Sequence, residues 1–246
     1  MIAQAGEVPA NMLLSRLPTA DWAELSPKLR TTRLEAGQVI HEAGSSIETV
    51  YFVEDGMLSL VVPLSDGTRP EVGVIGHEGI SALPLLAGIS TAFLECLVQM
   101  SGYALCMGAA DFREQYARPG AFRELLLRSN ENFRSQISQT AACNARHPIN
   151  HRLVRWLLMA NARSESKTMR LHQEFLAAML GCSRPAVSVA LEVLQRGGLI
   201  HLDDPEITVV DREKLEASGC KCFRAIRDRM DAIFREPLQA TAARSM

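Results

Sequence analysis

A glycine-centred break between two short amphipathic segments, within residues 171–200, constrains the fold of this chain most strongly. The first segment has a three- and four-residue spacing of apolar side chains that predicts one buried helical face: Phe175, Leu176, Met179 and Leu180. Gly181 is predicted to end this helix, because glycine adopts the left-handed backbone conformation without steric cost. Ser183 then predicts the N-cap of a second helix, and Pro185 suits its first turn.

The second predicted helix has one apolar stripe and one polar face. Its stripe consists of Val187, Ala190, Leu191 and Leu194. Arg184 and Ser188 therefore face outward, near the helix end that enters the major groove in helix-turn-helix proteins. Segments 199–202 and 207–210 predict two strands joined by a turn, which would add a wing. Two packed helices with a glycine turn also occur without any DNA-binding role, but the hairpin favours a winged helix.

These residues carry a specific resemblance. The motif Gln-Glu-Phe-Leu-Ala-x-Met-Leu-Gly-x-Ser-Arg-x-x-Val-Ser, followed by Leu-Gln-Arg-x-Gly-Leu-Ile, resembles the DNA-binding domain of Crp/Fnr (cyclic AMP receptor protein) transcription regulators. The resemblance implies an α+β chain with an N-terminal jelly-roll, cyclic-nucleotide-binding-like barrel, a long dimerisation helix and a C-terminal winged helix-turn-helix. The domains would be a sensory barrel, a dimerisation helix, a DNA-binding domain, and a C-terminal helix with a disordered tail, at 1–118, 119–146, 147–217 and 218–246.

The same resemblance implies a sequence-specific transcription regulator that acts as a homodimer. Its partners would be double-stranded DNA with a palindromic operator, RNA polymerase and an unknown small-molecule effector. No apolar run is long enough for a membrane span, and the first residues lack a basic stretch followed by an apolar core. We therefore expect a cytoplasmic protein without a membrane partner.

Composition by itself does not indicate a nucleic-acid partner, because the formal net charge is only −2. The charge is uneven, however. Residues 1–115 contain 6 Lys and Arg against 14 Asp and Glu, whereas residues 116–200 contain 12 against 5. The positive excess therefore coincides with the predicted DNA-binding domain, where it would attract phosphates irrespective of base sequence, although a solvated basic face is the alternative.

Short strand-like segments fill most of the first 118 residues. They lie at 38–41, 50–53, 57–62, 71–75 and 92–98, and turn signals such as Glu-Asp-Gly at 54–56 separate them. Many short strands with glycine turns are typical of a jelly roll. Residues 22–34, before the strands, are expected to form a short helical segment.

The resemblance also implies where an effector would bind. The loop that holds the ribose and phosphate in the cyclic-nucleotide binders corresponds to Gly76, His77, Glu78 and Gly79. The phosphate-binding arginine is absent, and no Lys or Arg occurs from Pro70 to Asp111. A buried phosphate needs charge-assisted hydrogen bonds, so we do not expect cyclic AMP to bind. Two alternatives remain equally open: a neutral ligand, or a pocket closed by Leu83, Leu85, Leu86 and Ile89.

The resemblance transfers base contacts only in part. Arg184 matches an arginine that contacts guanine in the family, whereas Pro185 and Val189 replace two other base-contacting positions, so the operator should differ. Pro185 offers apolar contact only. Weaker candidates for phosphate or base contact are Ser183, Ser188, His172 and Gln173. The turn at 203–206 is acidic, which disfavours a wing that contacts the DNA backbone.

The stretch from Pro119 to Arg146 predicts a long helix, at the place where the family forms its dimer. The residues assigned to the dimer helix are Phe122, Leu126, Phe133 and Ile137; the alternative is a helix packed only on its own barrel. Pro148 then interrupts the chain, and residues 144–148 form the hinge that the family reorients. A helix at 150–159 follows, with Arg152 and Arg155 exposed. A last amphipathic helix at about 220–235 would pack on its own domain or on the partner subunit.

Cysteine and histidine placement predicts neither a cofactor nor a metal site. Cys96, Cys106, Cys143 and Cys182 are isolated in sequence. Cys220 and Cys222 are close, in a Cys-Lys-Cys pattern that differs from common zinc spacings, and they remain open as a thiol switch or half of a metal site.

Catalysis is not expected either. His41 and His77 are the only histidines before residue 147, and they do not form a closely spaced pair that could hold a catalytic metal. An alternative function is a sensory or scaffolding protein whose winged helix contacts proteins.

Overall fold

The computed structural model describes residues 8–164, 166–203 and 205–239. Its helices are α1 (Thr19–Leu25), α2 (Ala109–Ala117), α3 (Ala121–Arg146), α4 (Ile149–Asn161), α5 (Gln173–Leu180), α6 (Arg184–Arg196), α7 (Arg212–Ser218) and α8 (Cys222–Arg235). Its strands are β1 (Arg30–Leu34), β2 (Val39–His41), β3 (Thr49–Val61), β4 (Glu71–Ile75), β5 (Glu95–Gly108), β6 (Thr168–Arg170), β7 (Ile200–Asp203) and β8 (Glu206–Val209). The described residues form two compact units. The first lies within 1–60, 74–134 and 230–246, and the second within 61–73 and 135–229.

A five-stranded sheet organises the N-terminal part of the chain. Its strand order is β1-β5-β3-β4, and β2 pairs with β5 as well. β1 and β2 both run antiparallel to β5. Together with the C-terminal winged helix described below, this sheet confirms the predicted α+β architecture.

The predicted turn at 54–56 is wrong, because β3 continues through it as one strand of 13 residues. Gly56 has a φ of +93°, and a Cβ at this position would lie 2.6 Å from the carbonyl oxygen of Met100. A Cβ at Gly102 would likewise lie 2.1 Å from the carbonyl oxygen of Asp55. The two glycines therefore allow β3 and β5 to approach closely, which glycine in a strand often marks.

Two further predictions for the barrel need correction. Residues 22–34 are helical only at their start, and Arg30–Leu34 forms β1, whose register pairs Arg30 with Cys106. β5 extends ten residues beyond the predicted end at residue 98. Both segments carry polar residues at exposed positions, so their apolar periodicity is weak, and long-range pairing determines their conformation.

The core of the first unit is aromatic and aliphatic. Phe52 and Phe112 are fully buried, and the ring centroid of Phe122 lies 6.2 Å from that of Phe52. Leu126 is also fully buried in this core. Phe122 and Leu126 were expected to form a dimer seam, but their burial within the same chain leaves them unavailable to a second copy. Phe133 and Ile137 are half-buried.

The second unit contains the winged helix. α4, α5 and α6 pack together, and they bury apolar side chains such as Trp156, Leu176 and Leu191. A three-stranded sheet of order β6-β8-β7 follows, in which the predicted hairpin is β7 with β8. The sequence did not predict β6 or α7. The predicted helix at 150–159 is present as α4.

Two predictions fall on residues outside the described ranges: the disordered tail, for 240–246, and the contribution of Asp204 to the acidic turn. The predicted C-terminal helix is present as α8, with Phe223 and Ile226 buried in the second unit and Ile233 and Phe234 in the first. Within the described residues, no single helix is long and apolar enough to cross a bilayer; α5 and α6 meet that test only as a pair with a sharp bend.

Candidate nucleic-acid interface

The turn between α5 and α6 fixes the geometry of the interface. Gly181 follows the last residue of α5 with a φ of +58°, the left-handed conformation that glycine was predicted to supply. The helix axes turn by 107° here, within the range of helix-turn-helix motifs. Ser183 is the N-cap of α6; its carbonyl accepts from the amides of Ala186 and Val187, while its side chain makes no capping hydrogen bond.

One face of α6 is buried and the other is open. The buried stripe is the predicted one, with exposures of 4 % or less: Val187, Ala190, Leu191 and Leu194. Arg184, Pro185 and Val189 are exposed, and Ser188 is half-exposed. The first turns of α6 therefore present both polar and apolar side chains to solvent, where a helix that enters a DNA groove needs them.

Arg184 forms an ion pair across the turn. Its Nε lies 2.8 Å from Oε1 of Glu174 in the first turn of α5, and the two side chains are 59 % and 64 % exposed. An ion pair this exposed is weak, so the guanidinium can leave Glu174 for another partner.

A second contact joins the same two helices. The hydroxyl of Ser188 donates to Oε1 of Gln173 at 2.5 Å, and His172 is the exposed N-cap of α5. The residues predicted to contact DNA therefore lie at the N-terminal turns of α5 and α6. Arg184 pairs with Glu174, and Ser188 with Gln173, so two contacts join these turns.

The outer face of α6 also carries exposed apolar side chains. Val189 is 61 % exposed and Val193 is 48 % exposed. Valine methyl groups at these positions can contact a thymine methyl group in a major groove, or a second protein.

The wing combines acidic and basic residues. Asp203 and Glu206 are exposed at the turn between β7 and β8. Arg170 on β6 is exposed and stands opposite Glu206 in the antiparallel register, and Lys167 just before β6 is exposed as well. The position of these two cations beside the wing was not expected from the sequence, because β6 was not predicted. The alternation of Thr168, buried Met169 and Arg170 was the available signal.

This geometry agrees with the comparison to known families. Residues 151–218 match the family of the Crp-like helix-turn-helix domain. These residues form a Crp-like helix-turn-helix domain. No curated protein matches the chain.

Solved structures with the same fold cover most of the chain. FixK2 from Bradyrhizobium japonicum has a TM-score of 0.66 at 16 % identity, over 78 % of this chain and 98 % of that one. TTHB099, a CRP-family transcriptional regulator from Thermus thermophilus, has 0.63 at 18 %, over 76 % and 96 %. CLP from Xanthomonas campestris, a c-di-GMP-responsive global regulator, has 0.58 at 15 %, over 79 % and 100 %.

At these identities the structural likeness establishes the fold. The Crp-like helix-turn-helix domain at residues 151–218 supports a DNA-binding transcription regulator, as the sequence predicts.

Within the Crp-like domain, the expectation that Arg152 and Arg155 are exposed is wrong. Arg155 is 3 % exposed, and Arg152 is half-buried. Arg152 donates to the carbonyl of Leu180, the last residue of α5, so it caps that helix. Both guanidiniums also donate to Oδ1 of Asn144 on α3, at 3.3 Å and 3.2 Å. The two arginines therefore join α4 to its neighbours instead of facing DNA.

The loop predicted to bind an effector lies in the first unit. Gly76, Glu78 and Gly79 are buried, and His77 is half-buried. Much of the loop's hydrogen-bonding capacity is already used: the carbonyl of His77 accepts from the Met12 amide at 2.7 Å, and the carbonyl of Glu78 accepts from the Ser129 hydroxyl at 3.2 Å.

A cavity of about 300 Å³ lies elsewhere in the same unit. It is lined by His41, Ile47, Leu60, Ser81, Leu83, Pro84, Ala92, Phe93, Leu94, Cys96, Asn130 and Phe133. Among the residues that the structure describes, neither the loop residues 76–79 nor any Lys, Arg, Asp or Glu side chain belongs to this lining. Burial lowers the pKa of His41 to about 4, so this imidazole, whose Nε2 lies 3.2 Å from the hydroxyl oxygen of Ser81, is neutral near pH 7.

One cation reaches Ser90, in the segment Ser90-Thr91-Ala92 that the resemblance aligns with the position of the missing phosphate-binding arginine. Nη2 of Arg113 on α2 donates to the hydroxyl of Ser90 at 3.1 Å. The sequence did not indicate this contact, because Arg113 lies 23 residues further along the chain. Arg113 is not among the residues that line the cavity.

Cys143 is isolated in the sequence, but in the structure it lies next to another cysteine. Its Sγ lies 3.7 Å from Sγ of Cys220, and Sγ of Cys222 lies 3.5 Å from Nδ1 of His147. Burial raises the pKa of the Cys143 thiol to about 12, while the guanidinium of Arg155 acts in the opposite direction. Cys96, by contrast, is buried with its pKa strongly raised, as expected for a structural cysteine.

Proposed function

We propose that this chain acts as a homodimer that binds a palindromic operator through the first turns of α6. The observation that carries the proposal is the solvent-exposed Arg184 at the N-terminus of α6, inside a Crp-like helix-turn-helix domain. Arg184 would donate two hydrogen bonds to a guanine, while Ser183, Ser188, His172 and Gln173 contact phosphates or base edges. Pro185 and Val189 would make apolar contacts, so the operator differs from that of cyclic AMP-dependent relatives.

The dimer would form along the outer face of α3. Phe122 and Leu126 are committed to the core of the first unit, so the seam would use exposed positions such as Leu127 and Ala141, with half-buried Ile137 at its edge. Two Crp-like domains in a dimer would face successive major grooves, which accounts for a palindromic site. The hinge at 144–148 would transmit an effector's influence to α6, and RNA polymerase would be the partner at the promoter.

The effector would be a neutral, mostly apolar small molecule in the cavity of the first unit. No described residue of the cavity lining is charged, which disfavours the cyclic phosphate of cyclic AMP, because a buried phosphate needs charge-assisted hydrogen bonds. His41, Ser81 and Asn130 would supply the few polar contacts that orient such a ligand. In this proposal the protein works in the cytoplasm, where the DNA is, and acts by binding and not by catalysis.

An alternative function is a sensory or scaffolding protein whose winged helix contacts another protein. Exposed Val189 and Val193 on α6 favour it, together with the acidic Asp203 and Glu206 at the wing. Apolar patches of this kind are typical of protein interfaces, and acidic wings repel phosphates.

Selection of binding sites from random double-stranded DNA distinguishes the two functions. We compare the wild type with Arg184→Ala and with Arg196→Ala, which removes an arginine of the same charge, also solvent-exposed, from the last turn of α6. We expect a palindrome whose guanine preference is lost only in Arg184→Ala, with affinity reduced by about 5- to 150-fold, since a bidentate contact is worth about 1–3 kcal/mol.

A different outcome would support the alternative. If no sequence is enriched with the apo protein or after screening neutral ligands, and weak binding disappears with salt, the winged helix is a protein-contact module.

A further inference from the structure

Four side chains that commonly bind metals converge where α3 ends and α8 begins. Cys143 lies in the last turn of α3, and His147 follows the end of this helix with its amide donating to the carbonyl of Cys143 at 2.9 Å, which keeps the two residues close. Cys222 is the first residue of α8, and Cys220 lies two residues earlier. Their donor atoms all lie within 4.8 Å of one another, although 77 residues separate Cys143 from Cys220. We call Cys143, His147, Cys220 and Cys222 the Cys₃His cluster.

Two donor separations in the Cys₃His cluster match those expected around a single tetrahedral ion. With Zn–S bonds of about 2.3 Å and Zn–N bonds of about 2.0–2.1 Å, ideal donor separations are about 3.8 Å for S–S and about 3.5 Å for S–N. The Cys143 and Cys220 sulfurs are 3.7 Å apart, and the Cys222 sulfur is 3.5 Å from the His147 nitrogen. The S–S separation is well above the roughly 2.05 Å of a disulfide.

The charge environment favours an anionic centre. Arg155 is 3 % exposed, and its guanidinium donates only to the neutral groups of Thr140, Met159 and Asn144 among the described residues. Its buried Nε has no hydrogen-bond partner in this part of the chain. A buried cation without a counterion is costly. The same guanidinium interacts electrostatically with Cys143, so a negative charge at the cluster would offset this cost.

The surroundings of the cluster are those expected around a bound metal ion. Nε2 of Gln139 donates to the sulfur of Cys222 at 3.2 Å, an outer contact of the type that orients thiolate ligands. Cys143 and Cys222 are buried, whereas His147 and Cys220 are half-buried, which leaves a path for an ion. Four protein donors leave no open position for substrate, as in structural zinc sites.

We propose that the Cys₃His cluster binds one Zn²⁺ ion, which ties the last turn of α3 to the first turn of α8. Binding releases the three thiol protons, so that Zn²⁺, three thiolates and a neutral imidazole carry a formal charge of −1. This charge is the missing counterion for Arg155. The ion holds His147 immediately before Pro148, where the chain turns from α3 into α4.

Metal content and cobalt spectroscopy test this site without reference to DNA binding. Tag-free protein, produced in zinc-supplemented medium, is dialysed and analysed by mass spectrometry of its elements. We expect one zinc per chain. Replacement by Co²⁺ should give the thiolate-to-cobalt charge-transfer absorption and the visible bands of a tetrahedral S₃N site.

Matched variants identify the ligands. Cys143→Ser and Cys222→Ser should lose most of the bound zinc, whereas Cys182→Ser, which changes a half-buried cysteine in the turn of the Crp-like domain, should retain it. His147→Cys should keep the ion and add charge-transfer intensity, because cysteine supplies a fourth thiolate ligand. Zinc retained in this variant would show that a substitution in the cluster does not by itself unfold the site. His151→Gln, one turn after His147, should also keep the ion.

Three results would overturn the proposal. The first is protein with no stoichiometric zinc and no cobalt spectrum under reducing conditions. The second is iron with acid-labile sulfide, which would indicate an iron–sulfur cluster. The third is zinc that persists in Cys143→Ser and Cys222→Ser, which would place the ion elsewhere.

Discussion

Glu174 restrains the arginine that we expect to contact guanine, so removing its charge should strengthen DNA binding. The Arg184–Glu174 pair has an N–O distance of 2.8 Å, and both side chains are more than half exposed. Exposed ion pairs are worth about 0.2–1 kcal/mol, which Arg184 must give up to reach a base. Glu174→Gln should therefore tighten binding by about 1.5- to 5-fold per half-site.

A charge-matched control separates this effect from general repulsion of phosphates. Glu192→Gln also removes one exposed carboxylate from the helix-turn-helix, where Glu192 pairs with Arg196 at 2.8 Å. Both variants change the net charge equally and lower the long-range repulsion of DNA. Only Glu174→Gln releases Arg184.

Fluorescence anisotropy with the selected operator, at several stated salt concentrations, measures the difference. The gain from Glu174→Gln should exceed that from Glu192→Gln and should vanish in the Arg184→Ala background, as a double-mutant cycle requires. An equal gain in both variants, or a gain that persists without Arg184, would refute the reasoning. Weaker binding by Glu174→Gln would refute it too, because Glu174 would then orient Arg184 in the complex.

Three further predictions concern the first unit. Leu126→Ala should lower the free energy of unfolding by about 2–5 kcal/mol in a urea titration, because Leu126 is fully buried. Its neighbour Leu127, 47 % exposed, should change stability by less than about 0.5 kcal/mol as Leu127→Ala but weaken dimers in analytical ultracentrifugation; unchanged dimers would place the seam elsewhere. The unfolding free energy should also fall as pH drops from about 6.5 towards about 4, since the unfolded chain protonates His41 in this window while the folded chain keeps it neutral. Urea titrations across that pH range should give a flatter profile for His41→Gln, and equal slopes in both proteins would contradict this role.

Local chemistry made the helix-turn-helix predictable. Gly181 adopts the left-handed conformation at the end of α5, and Ser183 is the N-cap of α6, as their residue types indicate. The buried stripe of α6 follows the 3.6-residue period without exception. Each of these features depends on neighbours within a few residues, so the sequence contains the necessary information.

Features that depend on distant residues were missed for the same physical reason. Glu-Asp-Gly at 54–56 is a turn signal by composition, but the close approach of Gly56 to Met100 makes it part of a strand. The spacing of Phe122 and Leu126 fits a dimer interface and a core-facing helix equally well. Only the adjacent barrel determines that these two side chains belong to the core. Residue type gives periodicity, whereas partners determine burial.

Arg155 shows how a missed long-range contact can bear on function. An arginine on a predicted first helix of a DNA-binding domain suggests a phosphate contact, yet this one points to Thr140 and Asn144 on α3. Arg152 shares the same Asn144 oxygen and also caps α5. The end of α3 is thus joined to α4 and α5 by cationic side chains around one amide. If the Cys₃His cluster carries a negative charge, it holds Arg155 in place, and loss of the ion would weaken the junction through which we propose that α6 is reoriented.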